Sequence, residues 1–257
     1  MTPTLDDTIA AKKAWLDTLR PLALGSLKAL EAWYDVELTY TSNAIEGNTL
    51  TRIETAIVLE KGLTVRGKPL KDHLEAVDHK DALDCVRVLA REVEPVRETD
   101  IRQLHKLVLA RSSPGEAGRY SQHTRIIAGS RVRLPGSAEV PALMGDLATW
   151  LAEAPAGYAT AFEAHWRLVA IHPFSAGNGR TARLLMNLLL IRSGYPPVVV
   201  APEHRPDYID ALELGSLTGD PDPYRRLMAE RLDAGLDHYL EVLGRDLGAA
   251  GAAEPGG

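Results

Sequence analysis

The chain has 257 residues, of which 45% are hydrophobic, and it carries a formal net charge of −6 at pH 7. This length allows one large domain with a substantial core, and the acidic balance argues against general nucleic-acid binding. Its single cysteine, Cys85, excludes an internal disulfide and a cysteine-rich metal site.

Helix-forming residues dominate and long β-branched alternation is rare, so we expect a mainly α fold. No apolar run reaches membrane-spanning length, and the N-terminal stretch MTPTLDDTIAAKK lacks the apolar core of a signal peptide. We therefore expect a soluble, cytoplasmic protein that does not contact a membrane.

The N-terminal third contains helical spacing of apolar residues. This spacing predicts helices over residues 6–20 and 26–39, and Pro21 ends the first of them. In the following stretch, TSNAIEGNTL, a short helix that ends at Gly47 would present the carboxylate of Glu46. A helix over 52–60 and a loop, GLTVRGKPL, come next.

Two further helices are predicted over residues 70–92 and 101–111. The first contains His73 and His79, but these are not at i, i+4 spacing and have no HExxH context, so we expect no zinc site there. The segment 118–135 carries the β signal of the chain. Its stretches TRII and RVRL flank Ala128-Gly129-Ser130, which predicts a small β-hairpin.

Helices over 140–153 and 160–171 lead to the stretch IHPFSAGNGRTARLLMN. Pro173 disfavours helical backbone at His172, so the helix should end there and leave the imidazole at its mouth. Gly177, Asn178 and Gly179 tolerate positive φ, and their backbone amides can form a concave nest for an anion. A buried helix over 184–191 follows, and its N-terminus would face the same place.

The charge distribution also indicates a small anionic ligand. Between Ala164 and Pro202 there is no Asp or Glu, and four arginines lie in this window: Arg167, Arg180, Arg183 and Arg192. Helices over 206–214 and 223–243 complete the chain. The remaining residues, 244–257, have little capacity to pack and are expected to be disordered.

HPFSAGNGRTAR resembles the signature of the Fic family, HPFx(D/E)GNGRxxR, and matches all but one of its nine defined positions. TSNAIEG similarly resembles the inhibitory motif (S/T)xxxE(G/N) of many Fic proteins, with Ser42 first and Glu46 as the glutamate. The resemblance implies a Fic-type helical bundle with a short β-hairpin flap. It divides the chain into N-terminal helices with the inhibitory motif (1–60), a Fic core (61–243) and the tail (244–257).

The resemblance also implies an activity: a self-inhibited protein adenylyltransferase that transfers AMP from ATP, or NMP from another NTP, to a Ser, Thr or Tyr hydroxyl. His172 would be the general base. Phosphate oxygens would be held by Gly177, Asn178 and Gly179, and by Arg180 on the leaving group and Arg183 at the γ-phosphate. Glu46 would compete for Arg183, and a protein substrate would pair with the 124–134 flap.

Two positions depart from the family pattern. Ala176 stands where the family has the acidic ligand of Mg²⁺. The protein would then bind Mg²⁺ through phosphates and water alone, use a substrate that needs no metal there, or bind nucleotide without catalysis; an engineered alanine is the remaining explanation. Adenine specificity is also open, because Tyr208-Ile209 and Ser216 replace a tyrosine pair and an asparagine.

Two other functions stay open at this point. The first alternative to a transferase is a catalytically silent nucleotide-binding regulatory module, which Ala176 favours. The second is an enzyme that removes AMP from a modified protein, with Glu46 positioning the attacking water. A homodimer is left open by the sequence, and no nucleic-acid partner is expected.

Overall fold

The computed structural model describes residues 3–127 and 129–252. In these ranges the chain forms ten α-helices and one 3-10 turn, Pro202–His204. The helices are α1 Leu5–Thr18, α2 Leu24–Ile45, α3 Arg52–Lys61, α4 Leu70–Ala90, α5 Glu98–Val108, α6 Val140–Glu153, α7 Tyr158–Ile171, α8 Asn178–Arg192, α9 Arg205–Thr218 and α10 Asp222–Ala252. The mainly α class predicted from the sequence is confirmed.

Helix α8 is the centre of the bundle, because its apolar run is buried on nearly every side. Leu184, Leu185 and Leu188 are almost fully removed from solvent, and α8 packs against α7, α4 and α5. Burying one such side chain contributes about 2 kcal/mol. The polar residue in this run, Asn187, exchanges two hydrogen bonds with the backbone of Val198, which confirms that its amide is satisfied.

The N-terminal helices are part of the same core. Ile9 of α1 and Leu30 of α2 belong to one buried cluster with Leu184 and Leu236. Helix α1 packs along α10, and α2 packs against α3 and α4. The predicted division near residue 60 therefore does not coincide with a break in the packing.

Helix α2 is longer than predicted, and this changes the setting of the inhibitory stretch. No helix breaker stands between Thr39 and Gly47, so α2 continues to Ile45 and Glu46 is its C-cap. Gly47 then ends the helix with φ 94°. Glu46 consequently stands on the last turn of a long, well-packed helix and not on a separate short one.

The predicted β-hairpin is wrong for the described part of residues 118–135, where no strand is formed. The two stretches run extended, and a tight turn joins them, in which the Ser130 N–H donates to the Ile127 carbonyl at 3.1 Å. The amide of Val132 bonds instead to the Ser130 hydroxyl. Local side-chain bonds thus satisfy groups that a strand ladder would use; we call residues 121–135 the flap.

The C-terminal part differs from the sequence expectation as well. Helix α10 continues to Ala252, over residues 244–252 that were expected to be disordered. Residues 253–257 of the predicted tail lie outside the described residues. Over the described ranges, none of the helices has the length and hydropathy needed to cross a bilayer.

Candidate active site

His172 stands where helix α7 ends. Pro173 prevents the helix from continuing, and His172 adopts the left-handed conformation, φ 50° and ψ 56°, while its N–H still bonds to the Leu168 carbonyl at 3.0 Å. The predicted helix end at His172 is confirmed. The imidazole is half-buried, and it faces a cavity of about 280 Å³.

The environment of His172 favours its neutral form. Burial lowers the pKa of the imidazole below its usual 6.5, and the Arg125 guanidinium lowers it further. The Val169 carbonyl, which faces the ring without a hydrogen bond of normal geometry, and the Glu46 carboxylate act in the opposite direction. The net shift is downward, so the ring is an available proton acceptor at neutral pH.

The loop after His172 is braced by two side chains. Asn178 accepts from the Phe174 N–H at 2.9 Å and donates to the Phe174 carbonyl at 2.7 Å. His105 of α5 stacks on the Phe174 ring, centroids 3.6 Å apart, and its Nε2–H donates to the Ala176 carbonyl at 3.0 Å. The Asn178 amide is therefore occupied inside the loop, which differs from the expectation that it donates to phosphate.

The predicted nest of three positive-φ residues is replaced by a simpler arrangement. Gly177 has φ 74°, whereas Asn178 and Gly179 already belong to the first turn of α8. The unpaired N–H groups of that turn and the helix dipole point at the cavity, in which Gly179 is a lining residue. An anion site is thus formed by a helix N-terminus and not by a separate loop.

Arg183 joins the inhibitory stretch to this helix. Its Nη2 donates to the Glu46 carboxylate at 2.7 Å and to the Ser42 carbonyl at 2.9 Å, while Nε donates to the Ser42 hydroxyl at 3.0 Å. Arg183 is buried, and the Glu46 side chain keeps 35% of its surface exposed at the cavity mouth. The structure therefore brings Ser42, Glu46 and Arg183 together.

The Tyr208 hydroxyl of α9 lies near the Arg183 guanidinium, and both side chains line the same cavity. The hydroxyl shares a hydrogen bond with His165 Nε2 at 2.7 Å. Burial lowers the pKa of His165 to about 3, so its ring stays neutral and able to accept. His165 is fully buried, and through Tyr208 it is part of the packing behind the cavity.

The carboxylate of Glu46, the C-cap of α2, packs against the first turn of α8. Burial alone would raise the pKa of its carboxyl, but Arg183, Arg180 and Arg205 more than offset this, and the net shift is downward. Arg205 was not identified from the sequence. It lines the same cavity and donates to the Ile45 carbonyl at 2.8 Å, which places a further cation beside Glu46.

Arg180 takes a different direction from the one expected. It is buried between α2 and α4, and its Nη1 atom lies 3.3 Å from the Glu75 carboxylate and 3.4 Å from the Asn43 amide oxygen. Asn48 also donates to Glu75, at 3.0 Å. Arg180 is therefore paired with a carboxylate behind the helix N-terminus, and it is not a lining residue of the cavity.

A larger depression, about 690 Å³, lies elsewhere between the N-terminal parts of α1, α7 and α10. Its charged residues pair with one another, as Arg225 does with Glu163 and Asp222. The smaller cavity beside His172 combines a neutral imidazole, a helix N-terminus and two arginines, Arg183 and Arg205. It is the site that the chemistry indicates.

Comparison with known proteins identifies the family. A model of the Fic/DOC family matches residues 95–190. The structure of Fic-1 from C. elegans superimposes with a TM-score of 0.81, at 30% identity, over 93% of this chain and 71% of that one. The chain belongs to the Fic family.

Other Fic proteins are similar over most of the chain. A Fic domain containing signaling protein from Bacteroides thetaiotaomicron superimposes with a TM-score of 0.83, at 28% identity, over 92% of this chain and 98% of that one. The protein adenylyltransferase Fic of Aedes aegypti is 36% identical over 222 residues, which are 84% of this chain and 44% of the relative. The chain thus spans about half the length of the curated Fic relatives it matches, from 41% to 53%.

The Fic signature has an acidic ligand of Mg²⁺ at the position of Ala176, and the alanine does not fit a Mg²⁺ site. Ala176 is exposed, and its carbonyl already accepts from His105. Within the described ranges no group of three or more His, Cys, Asp or Glu residues could hold a metal ion. No protein ligand is thus available at the place where the Fic pattern has one, and we derive no step through a metal.

The flap forms part of the cavity wall. Ile127, Ser130 and Val132 line it, and the Arg131 N–H donates to the Glu213 carboxylate of α9 at 3.0 Å. The flap residue Arg125 bonds to the His172 carbonyl. The sequence did not identify Arg125, Glu75 or Arg205 as site residues. Each is a charged residue in or beside a segment predicted as helix or hairpin, and this charge was the one signal available.

Proposed function

We propose that this Fic protein is a protein adenylyltransferase that is held in a self-inhibited state by Glu46. The observation that carries the proposal is the ion pair of Glu46 with Arg183, 2.7 Å, on the first turn of α8 beside His172. A carboxylate occupies the place to which helix N–H groups and guanidinium groups attract an anion. The names of curated relatives, protein adenylyltransferase Fic, support the reaction class.

His172 would act as the general base. Its pKa is lowered, so the neutral ring takes the proton of a Ser, Thr or Tyr hydroxyl as the oxygen attacks the α-phosphorus of ATP. The bond from that phosphorus to the bridging oxygen breaks, and pyrophosphate leaves. The product is a phosphodiester between AMP and the target hydroxyl, with the proton on the imidazole.

The phosphates would be held by the first turn of α8. Gly179 leaves room for an anion close to the backbone, because the place of a Cβ atom is where the Glu46 carboxylate now lies. Arg183 would receive the γ-phosphate when Glu46 leaves. Arg205, at the same cavity, would compensate the remaining negative charge.

The flap would receive the target protein. Its described backbone forms no strand ladder, because the Val132 N–H bonds to the Ser130 hydroxyl, a side-chain partner that a target strand would replace. An extended target segment can supply the missing ladder by strand addition. The target hydroxyl would then enter the cavity between the flap and His172.

Removing the inhibitory carboxylate tests the proposal. Glu46→Gly should raise auto-modification with labelled ATP by at least about tenfold, and Glu46→Gly combined with His172→Ala should abolish it. Glu60→Gly, at an exposed glutamate on α3, is the matched control and should leave labelling at the parent level. Absence of label in every variant, with Mg²⁺ and with Mn²⁺, would rule out transferase activity.

A nucleotide-binding module without catalysis is the second candidate, and the methyl group of Ala176 is the observation that favours it. Calorimetry with ATP on Glu46→Gly distinguishes the two functions. Binding of nucleotide without an AMP adduct on any protein in intact-mass spectra would establish the silent module, whereas an adduct of one AMP would exclude it.

A further inference from the structure

We propose that Arg125 is a positioning residue: it fixes the main chain of His172 and joins the flap to it, so that a docked target and the base share one rigid frame. The inference rests on the proposed role of His172. It concerns a buried residue of the flap.

Arg125 spans the two parts of the site. One guanidinium nitrogen, Nη1, donates to the His172 carbonyl, and the other, Nη2, donates to the Pro135 carbonyl at 2.6 Å. The first bond reaches the end of α7, and the second reaches the far end of the flap. A single planar group with two donor arms thus fixes the distance between the base and both ends of residues 125–135.

Arg125 is buried, and its two hydrogen bonds are the interactions that hold it there. Only 9% of the residue is exposed, and in the described part of the chain no carboxylate lies within ion-pair distance of it. Burial lowers its pKa, and its Nε atom has no partner. A buried cation without a counter-ion is costly, so a neutral side chain would serve better if the site needed only packing.

The conformation of His172 explains why its carbonyl is available. The left-handed φ of 50° turns this carbonyl out of the helix direction, and such a conformation costs a non-glycine residue about 1–2 kcal/mol. The next carbonyl, that of Pro173, accepts from the Ser121 N–H at 3.0 Å. Two successive carbonyls at the helix end are therefore held by the N-terminal part of the flap.

A purely structural role for Arg125 predicts different results from a positioning role. A structural anchor affects stability and target capture, and it leaves the catalytic step of the folded enzyme unchanged. A positioning residue affects the catalytic step at saturating nucleotide, because small displacements of a base cost up to about 100-fold in rate.

The test uses the full chain with Glu46→Gly as parent, and adds Arg125→Lys or Arg125→Met. Arg119→Met, at an exposed arginine before the flap, is the matched control. We expect both Arg125 variants to lower kcat for auto-modification by about 10- to 100-fold while the KM for ATP stays within about twofold. The control should match the parent.

A second measurement does not depend on turnover. Two charged groups face His172, the Arg125 cation and the Glu46 carboxylate, and the parent lacks the latter. In NMR titrations of the His172 ring, Arg125→Met should raise its pKa, whereas Arg125→Lys should leave it near the parent value because the charge is kept. This measurement tests whether the Arg125 cation lies against the His172 ring even if no variant labels, a result that would overturn only the transferase function.

Thermal unfolding identifies the folded variants, and if Arg125→Met does not fold, Arg125→Lys decides the question alone. Loss of kcat with an unchanged KM in a folded variant supports the positioning role. An unchanged kcat in a folded Arg125→Lys, or a His172 ring that titrates identically in Arg125→Met and the parent, would overturn it.

Discussion

The Glu46 carboxylate lies against the Cα atom of Gly179, with its Oε1 2.5 Å from the position that a Cβ atom at residue 179 would take. Arg183 Nη1 is 3.0 Å from the same position. The inhibitory carboxylate and the side chain of any larger residue therefore compete for one volume. In the proposed function this volume belongs to a phosphate.

Gly179→Ala tests that assignment. The methyl group should displace Glu46, yet activity should not rise as it does in Glu46→Gly, because the methyl also excludes the phosphate. In the Glu46→Gly parent we expect Gly179→Ala to weaken the Kd for ATP at least about tenfold by calorimetry. Gly145→Ala on α6, where a Cβ meets open space, is the control; equal ATP affinity in both variants would place the phosphate elsewhere.

Ala176→Asp tests whether a missing metal ligand limits activity. The residue is exposed and its carbonyl is held by His105, so an aspartate can extend from the loop without rearranging it. In the Glu46→Gly parent we expect faster turnover with Mg²⁺ or Mn²⁺ and tighter Mn²⁺ binding in the presence of ATP. Ser175→Asp, one exposed residue earlier, should change neither quantity. Unchanged turnover in Ala176→Asp would show that another step is limiting.

Local signals in the sequence predicted the parts of the site that depend on local physics. Pro173 predicted the end of α7 at His172, and the bounds of α6 followed from its apolar spacing. The pairing of Glu46 with Arg183 was inferred from a motif resemblance, and the structure brings both side chains together.

The remaining parts depend on contacts between segments distant in the chain. Arg180 pairs with Glu75, about a hundred residues away, because α4 packs along α8. The alternating stretches TRII and RVRL have strand propensity, but they do not pair with each other. Instead, the Arg125 side chain bonds to the His172 carbonyl, and the Arg131 N–H bonds to the Glu213 carboxylate. Propensity cannot reveal which of two competing sets of partners a backbone will choose.

Activity should persist to a lower pH than it would if the catalytic histidine had an ordinary pKa. Burial lowers the pKa of His172 below 6.5, and Glu46 acts to raise it. In the Glu46→Gly parent the pKa should therefore fall further, and the neutral base should persist below pH 6.5. The pH dependence of kcat/KM between pH 5 and 8 checks this, because it reports the pKa of the free enzyme. An acid limb at or above pH 6.5 would contradict the burial argument.

Three buried histidines should make the fold sensitive to acid. Burial lowers the pKa of His79 to about 3, of His105 to about 4 and of His165 to about 3, from 6.5. Their folded pKa values are depressed, so between about pH 6 and 4 the unfolded chain binds protons that the folded chain does not. The stability they support is complete above pH 6.5 and is lost as pH falls toward 4.

The magnitude follows from proton linkage. Each histidine that is neutral when folded and protonated when unfolded contributes about 1.4 kcal/mol per pH unit, so three contribute about 4 kcal/mol per pH unit near pH 5. Urea unfolding at several pH values measures this slope. His105→Gln removes one titrating group and should reduce the slope by about one third, while His123→Gln, at an exposed flap histidine, should not change it. An equal slope in His105→Gln would mean that His105 is protonated in the folded protein, and its acceptor bond from Gly118 N–H could then not exist.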